Sequence, residues 1–425
     1  MNVSNLPEDI ICLYGKTGEF LPFGATSMPV VQSTAFEYGS AEEIEQVFRQ
    51  RKFGYLYSRI SNPTVSILEE RLTSLENGLG TLVTSSGMSA ITVALLTVLK
   101  QGDEFVSGNS LFGGTYSLFT DVFSRFGIRV VFVETTNLDD YKKAITEKTK
   151  LVFLETIGNP KMDVPDMQAI SKIAHAFEVP VFLDNTVATP HLWKAKDFGV
   201  DVIIHSVSKW LNGNGNAIGG SVTDAGSFTF SENKYPDFAL FNKKFGKLAF
   251  LAKMRKETFV NMGVCLGPHN AFLQLLGLET FPIRMEKHCS NALALAKLLA
   301  ASPKVKQVRY PGLETSQHHA VAKKQFSNYK AAGANFGGML CFELISKEAA
   351  FRFINALKFC KKLANIGDVR TLVLHPSSTI YCEMSQEQKM LMGVSEGLVR
   401  ISVGLENIET LQEDFLQALK KSHSQ

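Results

Sequence analysis

The sequence lacks the charge imbalance that proteins bound to nucleic acid usually carry. Its 425 residues have a formal net charge of only +3, and no long basic run or internal repeat occurs. Affinity for nucleic acid comes largely from clustered lysine and arginine side chains. We therefore expect no nucleic-acid partner.

Long hydrophobic runs are also missing. The longest apolar stretch, ITVALLTVL at 91–99, has nine residues, whereas a membrane-spanning helix needs about 20. The first residues, MNVSNLPEDII, lack the basic start and apolar core of a secretory signal. These absences predict neither a membrane segment nor a secretory signal.

Paired cysteines are absent as well, because the chain has no C-x-x-C motif. Its six cysteines are scattered, at Cys12, Cys265, Cys289, Cys341, Cys360 and Cys382. Scattered cysteines of this kind are typical of buried, reduced thiols in a cytoplasmic protein. We therefore expect free thiols, a cytoplasmic location and no metal site.

The length and composition instead indicate a globular protein with two packed domains. The chain exceeds the size of one typical hydrophobic core. Apolar residues make up 45% and charged residues 20%, which is ordinary for such a protein.

Between Leu79 and Ser208, apolar strands alternate with amphipathic helices. Strands that read as continuous Val, Ile, Leu and Phe runs are buried on both faces, which predicts a mainly parallel α/β sheet. Ligands of such sheets bind beyond the carboxyl ends of the strands. The predicted strand ends carry Ser85, Glu155, Asp184, Ser206 and Ser208.

Three segments depart from this alternation. Residues 1–60 are typical of an N-terminal arm, and residues 226–250 form a Phe-rich insertion near the site or at a subunit contact. Beyond about residue 266, long helical patterns and short strands predict a smaller α+β domain that extends to residue 425.

The segment HSVSKWLNGNGNAIGG, at 205–220, places Lys209 between two serines and a glycine-rich run. The glycines do not fit a dinucleotide-binding loop, because their spacing is wrong and no helix clearly follows. The segment also contains no phosphate-binding G-K-[ST] motif. A surface lysine remains the plain alternative, but the neighbouring hydroxyls and glycines favour a backbone closed around an anion.

Pyridoxal phosphate (PLP) would account for this arrangement. It needs an amine for its aldehyde, an acid for its pyridine nitrogen and donors for its phosphate. Lys209 can supply the amine, and Asp184 in VFLDNT can supply the acid. SSGM at 85–88 opens a predicted helix, whose amino end suits a phosphate.

Several motifs also resemble those of the PLP-dependent enzymes of cysteine and methionine metabolism. This is the group of cystathionine γ-synthase, cystathionine γ-lyase, methionine γ-lyase and O-acetylhomoserine sulfhydrylase. The matching segments span nearly the whole chain and occur in the family's order: YSRISNPT (57–64), SSGMSA (85–90), ETIGNPK (155–161), DNT (184–186), HSVSKW (205–210) and SEGLVRISVGLE (395–406).

The resemblance implies an aspartate-aminotransferase-like fold of type I, with a seven-stranded sheet in a large PLP-binding domain at 61–265. It implies that Lys209 holds the cofactor and moves protons, and that Asp184 pairs with the ring nitrogen. The other implied cofactor contacts are Gly87, Met88, Phe112, Asn159, Ser206 and Ser208, with Tyr57 and Arg59 reaching in from the neighbouring subunit.

The same resemblance implies that Arg400, helped by Asn365, binds the substrate α-carboxylate, and that Tyr57 takes part in catalysis. Many family members have tyrosine at position 112, where this chain has Phe112, which can stack but cannot donate a proton. It also implies a homotetramer built from dimers with shared active sites.

Within the family, GGTYSLF, ETIGNPK and LANIGDVRTLVLHP are most similar to the O-acetylhomoserine sulfhydrylase branch. That branch joins O-acetyl-L-homoserine and sulfide into L-homocysteine and acetate. A γ-lyase, a cystathionine γ-synthase and a PLP-fold protein kept for binding remain alternatives. The sulfur donor (free sulfide, a thiol or a sulfur-carrier protein) and the acyl group stay open.

Overall fold

The computed structural model describes residues 6–15, 24–326 and 335–422. Parts of the predicted arm (1–5 and 16–23) and of the predicted C-terminal domain (327–334 and 423–425) lie outside the described residues. In the described ranges, no helix has the length and apolarity needed to cross a membrane.

A large sheet of seven strands forms the centre of the fold. Its order is β1-β7-β6-β5-β4-β2-β3. The strands are β1 (Gly80–Thr84), β2 (Glu104–Gly108), β3 (Arg129–Val133), β4 (Thr149–Glu155), β5 (Val181–Asp184), β6 (Val202–His205) and β7 (Gly220–Asp224).

Most strands of this sheet are parallel, as the alternating pattern predicts. The pairs β2–β3, β2–β4, β4–β5 and β5–β6 are all parallel. Strand β7 is antiparallel to both β1 and β6. Its sequence, GSVTD, is buried throughout, although its short, polar composition gives no strand signal. Strand β7 begins at the end of the glycine-rich run that follows Lys209, so the chain re-enters the sheet at this point.

Helices cover both faces of the sheet and continue into the second half of the chain. Those of the first half are α1 (Glu8–Tyr14), α2 (Ala41–Phe48), α3 (Pro63–Leu75), α4 (Gly87–Val98), α5 (Gly113–Ser117), α6 (Leu138–Ala144), α7 (Met167–Ala176) and α8 (Thr189–Leu192). The later helices are α9 (Ala239–Phe245), α10 (Ala249–Met254), α11 (Val260–Met262), α12 (Pro268–Glu279), α13 (Phe281–Ala300), α14 (His319–Phe326), α15 (Lys347–Ala356), α16 (Gln386–Leu391) and α17 (Ile408–Ser422).

A second, five-stranded sheet lies in the C-terminal part, with the order β10-β11-β12-β9-β8. Its strands are β8 (Gln307–Arg309), β9 (Met339–Glu343), β10 (Lys361–Lys362), β11 (Leu372–Leu374) and β12 (Leu398–Ser402). Helices α13, α15 and α17 share a hydrophobic core with this sheet. The expected fold class, a mainly parallel sheet with a smaller α+β unit, is confirmed.

The first described helix of the arm, α1, packs on its own chain. Ile11 and Cys12 are buried, and Arg71 Nη1 donates to Cys12 O at 2.8 Å. All six cysteines belong to the described residues and are free. The expectation that they are buried is wrong for Cys382, which is exposed, and only partly right for Cys265.

The Phe-rich insertion at 226–250 lies away from the carboxyl ends of the parallel strands. The Tyr235 hydroxyl lies within hydrogen-bonding distance of Lys150 O and Glu178 O, 3.0 Å from each, at the amino ends of β4 and β5. Phe230, Phe238 and Phe250 are buried in the core beside the sheet. The expectation that this segment lies near the site is therefore wrong for its own chain, and the subunit-contact alternative remains a prediction.

Candidate active site

A cavity of about 740 Å³ opens at the carboxyl ends of the parallel strands. It lies at the edge where the sequence predicts a ligand site, and residues from the second sheet close its other side. Ten of the predicted site residues line it: Gly87, Met88, Phe112, Asn159, Asp184, Ser206, Ser208, Lys209, Asn365 and Arg400.

Lys209 follows the end of β6 and points its amine across the cavity. Its Nζ donates to Asn365 Oδ1 at 2.5 Å. Burial, together with the positive charge of Arg400, lowers the pKa of Lys209 to about 8, while Asp184 opposes this shift. A substantial fraction of this amine is therefore neutral at mildly alkaline pH, which a nucleophile or a proton acceptor requires.

Asp184 is the last residue of β5, so its carboxylate emerges at the cavity edge. Its Oδ1 accepts a hydrogen bond from Thr186 N at 2.9 Å. Burial raises the pKa of Asp184, whereas its hydrogen bonds to Thr186 and the nearby His205 and Lys209 lower it. A cationic group placed beside it would hold this carboxylate in its charged form.

The amino end of α4 forms a polar corner of the cavity. Ser86 caps this helix by accepting from Ser89 N, in a reciprocal capping box. A Cβ atom at Gly87 would lie 2.7 Å from Ser206 Cβ, so only glycine allows the helix start to approach Ser206 this closely. Backbone N–H groups, the helix dipole and the Ser206 hydroxyl together suit a phosphate group.

Arg400, in the middle of β12, brings a buried positive charge to the cavity. Its guanidinium donates to Asn159 Oδ1 at 3.0 Å and to Asn365 O at 3.3 Å. Its exposed fraction is 4%, and within the described ranges no Asp or Glu side chain forms an ion pair with it. A buried guanidinium without an acidic partner is suited to a ligand carboxylate.

Phe112 lines the cavity between β2 and α5, and its ring position depends on a neighbouring glycine. A Cβ atom at Gly114 would lie 2.7 Å from the ring of Phe112. The Phe112 backbone N–H donates to Glu155 Oε1 at 2.6 Å. Glu155 also lines the cavity, and the sequence patterns place it at a strand end but give it no role.

Tyr57 and Arg59 do not line the cavity of their own chain. Tyr57 is 41% exposed, and Arg59 Nη1 donates to Val260 O at 2.8 Å on the surface. Ser85 is also exposed and does not contribute, whereas the adjacent Ser86 does. The role of Tyr57 and Arg59 in the site of a neighbouring subunit therefore remains a prediction.

The cavity residues fit PLP by their chemistry and shape. They supply an amine with a depressed pKa at Lys209, a half-buried acid at Asp184 and a glycine-lined helix start at Gly87. These are the three features that this cofactor requires. In the described part of the chain, no group of His, Cys, Asp and Glu side chains is arranged to hold a metal ion.

Comparison with known proteins agrees with this site. Residues 13–420 match the family model of Cys/Met metabolism PLP-dependent enzymes, so the chain belongs to that family. The expected family, cofactor and type of enzyme are thereby confirmed.

Individual relatives cover almost the whole chain. An O-acetyl-L-homoserine sulfhydrylase from Leptospira meyeri is 37% identical, over 98% of this chain and 97% of the relative. An L-methionine γ-lyase from Fusobacterium nucleatum subsp. polymorphum is 39% identical, over 94% of each chain. A solved structure from Campylobacter jejuni, described as an O-acetylhomoserine (thiol)-lyase with N'-pyridoxyl-lysine-5'-monophosphate, has a TM-score of 0.91 and 32% identity, covering 98% of this chain and 100% of that chain.

Two cavity residues, Asn270 and Ile380, carry no recognisable sequence signal, because they come from segments far from Lys209 and meet it only in the fold. Ala364 and Ile366 also line the cavity, and they flank Asn365 in the LANIGDVRTLVLHP segment. Thr186 follows Asp184 directly, and its hydroxyl accepts from Ser206 N at 2.8 Å. Its place in the DNT motif is the one signal that could have singled it out.

Proposed function

We propose that the protein catalyses a PLP-dependent γ-replacement, in which O-acetyl-L-homoserine and sulfide, or another sulfur donor, give L-homocysteine and acetate. The observation that carries the proposal is Arg400, a buried cation close to the Lys209 amine that has no acidic partner among the described residues. This pairing suits an amino acid that presents its α-carboxylate to Arg400 and its α-proton to Lys209. Relatives named as sulfhydrylase and homocysteine synthase support the choice of substrate.

When bound, the cofactor supplies an electron sink for the bonds around the substrate's α-carbon. The protein's own groups supply the rest. Lys209 Nζ attaches the cofactor and, when free, takes up and returns protons. Asp184 would hold the ring nitrogen in its protonated form, because a carboxylate beside a pyridinium stabilises the charged form.

The remaining cavity residues bind and orient. We assign the phosphate to Gly87, Met88, Ser206 and Ser208, because Gly87 and Met88 begin α4, Ser206 lies against Gly87, and Ser208 lines the same cavity. Phe112 would stack against the cofactor ring. Asn159, which accepts a hydrogen bond from Arg400, would lie near the cofactor's phenolic oxygen. Arg400 and Asn365 bind the substrate α-carboxylate.

We also propose that the functional unit contains two chains at each site, within a homotetramer of dimers. Tyr57 and Arg59 are exposed and lie outside the cavity of their own chain, which supports a role in the neighbouring site. The domain boundaries follow this assignment, with an arm at 1–60, a cofactor-binding domain at 61–265 and a C-terminal domain at 266–425. The free cysteines support a cytoplasmic location.

A γ-lyase is the second candidate, because the methionine γ-lyase relative is as similar as the sulfhydrylase. The residues around the ring favour replacement. Phe112 has no hydroxyl to protonate an intermediate. Gly114 has no side chain, and a Cβ atom there would collide with the Phe112 ring. Neither position therefore supplies a proton donor to this side of the cavity. Sulfur could still arrive as free sulfide, as a thiol or from a carrier protein.

Product analysis tests the proposal. The purified holoenzyme receives either O-acetylhomoserine with sulfide or methionine alone, and homocysteine, 2-oxobutyrate and methanethiol are measured. We expect mainly homocysteine from the first mixture and little keto acid or thiol from the second. Rapid release of 2-oxobutyrate from methionine, at a rate comparable to replacement, would assign the protein to the γ-lyases.

A further inference from the structure

We propose that Glu155 is a positioning residue of the cofactor site, which holds Phe112 in place as a neutral carboxyl group and leaves the negative charge to Asp184. The inference rests on the proposed PLP site but not on the identity of the sulfur donor. It assigns a role to a buried acid that the proposed mechanism does not otherwise use.

The geometry places Glu155 where it can control the stacking residue. It is the last residue of β4, and only 5% of its surface is exposed. Its Oε1 accepts from the Phe112 backbone N–H at 2.6 Å. Because the Phe112 ring has no polar atom, the position of this ring depends on its backbone, and Glu155 is the side chain that bonds to that backbone.

The charges around Glu155 favour its neutral form. Glu155 is paired in register with Asp184 on the neighbouring parallel strand, so the two acids emerge at the same edge. Burial, followed by the charge of Asp184, raises the pKa of Glu155 well above its usual range. Two neighbouring buried acids rarely ionise together.

Other titratable groups also face Glu155 and must be considered. The charge of Asp163 raises the pKa of Glu155 further. The charge of Glu155 in turn raises the pKa of the Tyr381 hydroxyl. Lys209 and Arg400 line the same cavity but do not pair with Glu155 in the described structure. A neutral Glu155 still accepts from Phe112 through its carbonyl oxygen, so the bond does not need a negative charge.

The test compares Glu155→Gln with Glu155→Ala. The glutamine variant keeps a carbonyl acceptor and cannot ionise, whereas the alanine variant removes the acceptor. Glu134→Gln is the matched control, because Glu134 also follows a strand and bonds to Lys161 at 2.8 Å, but lies outside the cavity. Apoprotein is titrated with pyridoxal phosphate, and binding is followed by quenching of tryptophan fluorescence from Trp210, which adjoins Lys209.

The glutamine variant and the control should bind the cofactor within about twofold of the wild type. The alanine variant should bind the cofactor about tenfold more weakly, because the partly buried Phe112 N–H then lacks its acceptor. Tenfold weaker binding corresponds to about 1.4 kcal/mol, which is within the cost of leaving a buried donor unsatisfied. Binding by the wild type should also weaken at alkaline pH, as Glu155 ionises above its raised pKa. This weakening should be smaller in the glutamine variant, because the other titrating groups are common to both proteins.

Two results would overturn the inference. Wild-type affinity in the alanine variant would show that Glu155 does not position the site. An equal loss in the glutamine variant would show that the charged carboxylate is required, and this result decides the matter even if the alanine variant does not fold. If the wild type itself did not bind pyridoxal phosphate, the proposed function would fail and the inference would fail with it.

Discussion

Replacing Arg400 by alanine should abolish most of the affinity for the amino-acid substrate. The guanidinium is buried and already oriented by Asn159 and Asn365, at 3.0 and 3.3 Å. A charged hydrogen bond is worth about 1.5–3 kcal/mol, and an unpaired buried carboxylate adds to the loss. A total of about 3 kcal/mol corresponds to a decrease of kcat/KM on the order of 100-fold.

The assay is steady-state production of homocysteine at varied O-acetylhomoserine and saturating sulfide. We expect KM to rise more than kcat falls, while cofactor binding remains intact. Arg400→Lys should lose about tenfold, because lysine keeps the charge but lacks the planar fork. Arg352→Ala is the control, because this exposed arginine donates to Ser422 O and does not line the cavity. An unchanged KM in Arg400→Ala would refute the assignment of the carboxylate site.

Three further results are expected. The rate at which apoprotein combines with pyridoxal phosphate should rise with pH and level off above about pH 8. The reason is that burial lowers the pKa of Lys209 to about 8 and only the neutral amine reacts. A rate that continued to rise up to pH 10 would contradict this. Gly87→Ala should weaken cofactor binding by pushing Ser206 aside, whereas Gly267→Ala, where a Cβ meets open space, should not; equal effects would refute the phosphate cradle. Mixed oligomers of inactive Arg59→Ala and inactive Lys209→Ala chains should regain activity through one intact shared site, and mixed oligomers that stay inactive would rule out a shared site.

The parallel strands and the residues at their ends could be predicted from sequence. Strands such as β4 and β5 contain apolar runs, LVFL and VFL, and each ends in a polar residue, Glu155 or Asp184. Parallel strands place such ends at one edge, so the location of the cavity follows from local pattern alone. The family motifs then identify most of the residues that line it.

Other features depend on packing that local sequence does not encode. Strand β7 has a polar sequence, and it is a strand only because β1 and β6 pair with it on both sides. The insertion at 226–250 is rich in Phe, which predicts burial but not the side of the sheet on which it packs. The bond between Glu155 and Phe112 joins residues 43 positions apart, so sequence spacing gives no indication of it.

The attachment of the cofactor to Lys209 is the central claim, and chemical reduction tests it most directly. Holoenzyme is treated with borohydride, which fixes the cofactor to its lysine, and the digested peptides are analysed by mass spectrometry. We expect the pyridoxyl phosphate mass on the peptide that contains Lys209, and no label in Lys209→Ala. A label on another lysine, or an unlabelled wild-type protein that still turns over substrate, would contradict the assignment.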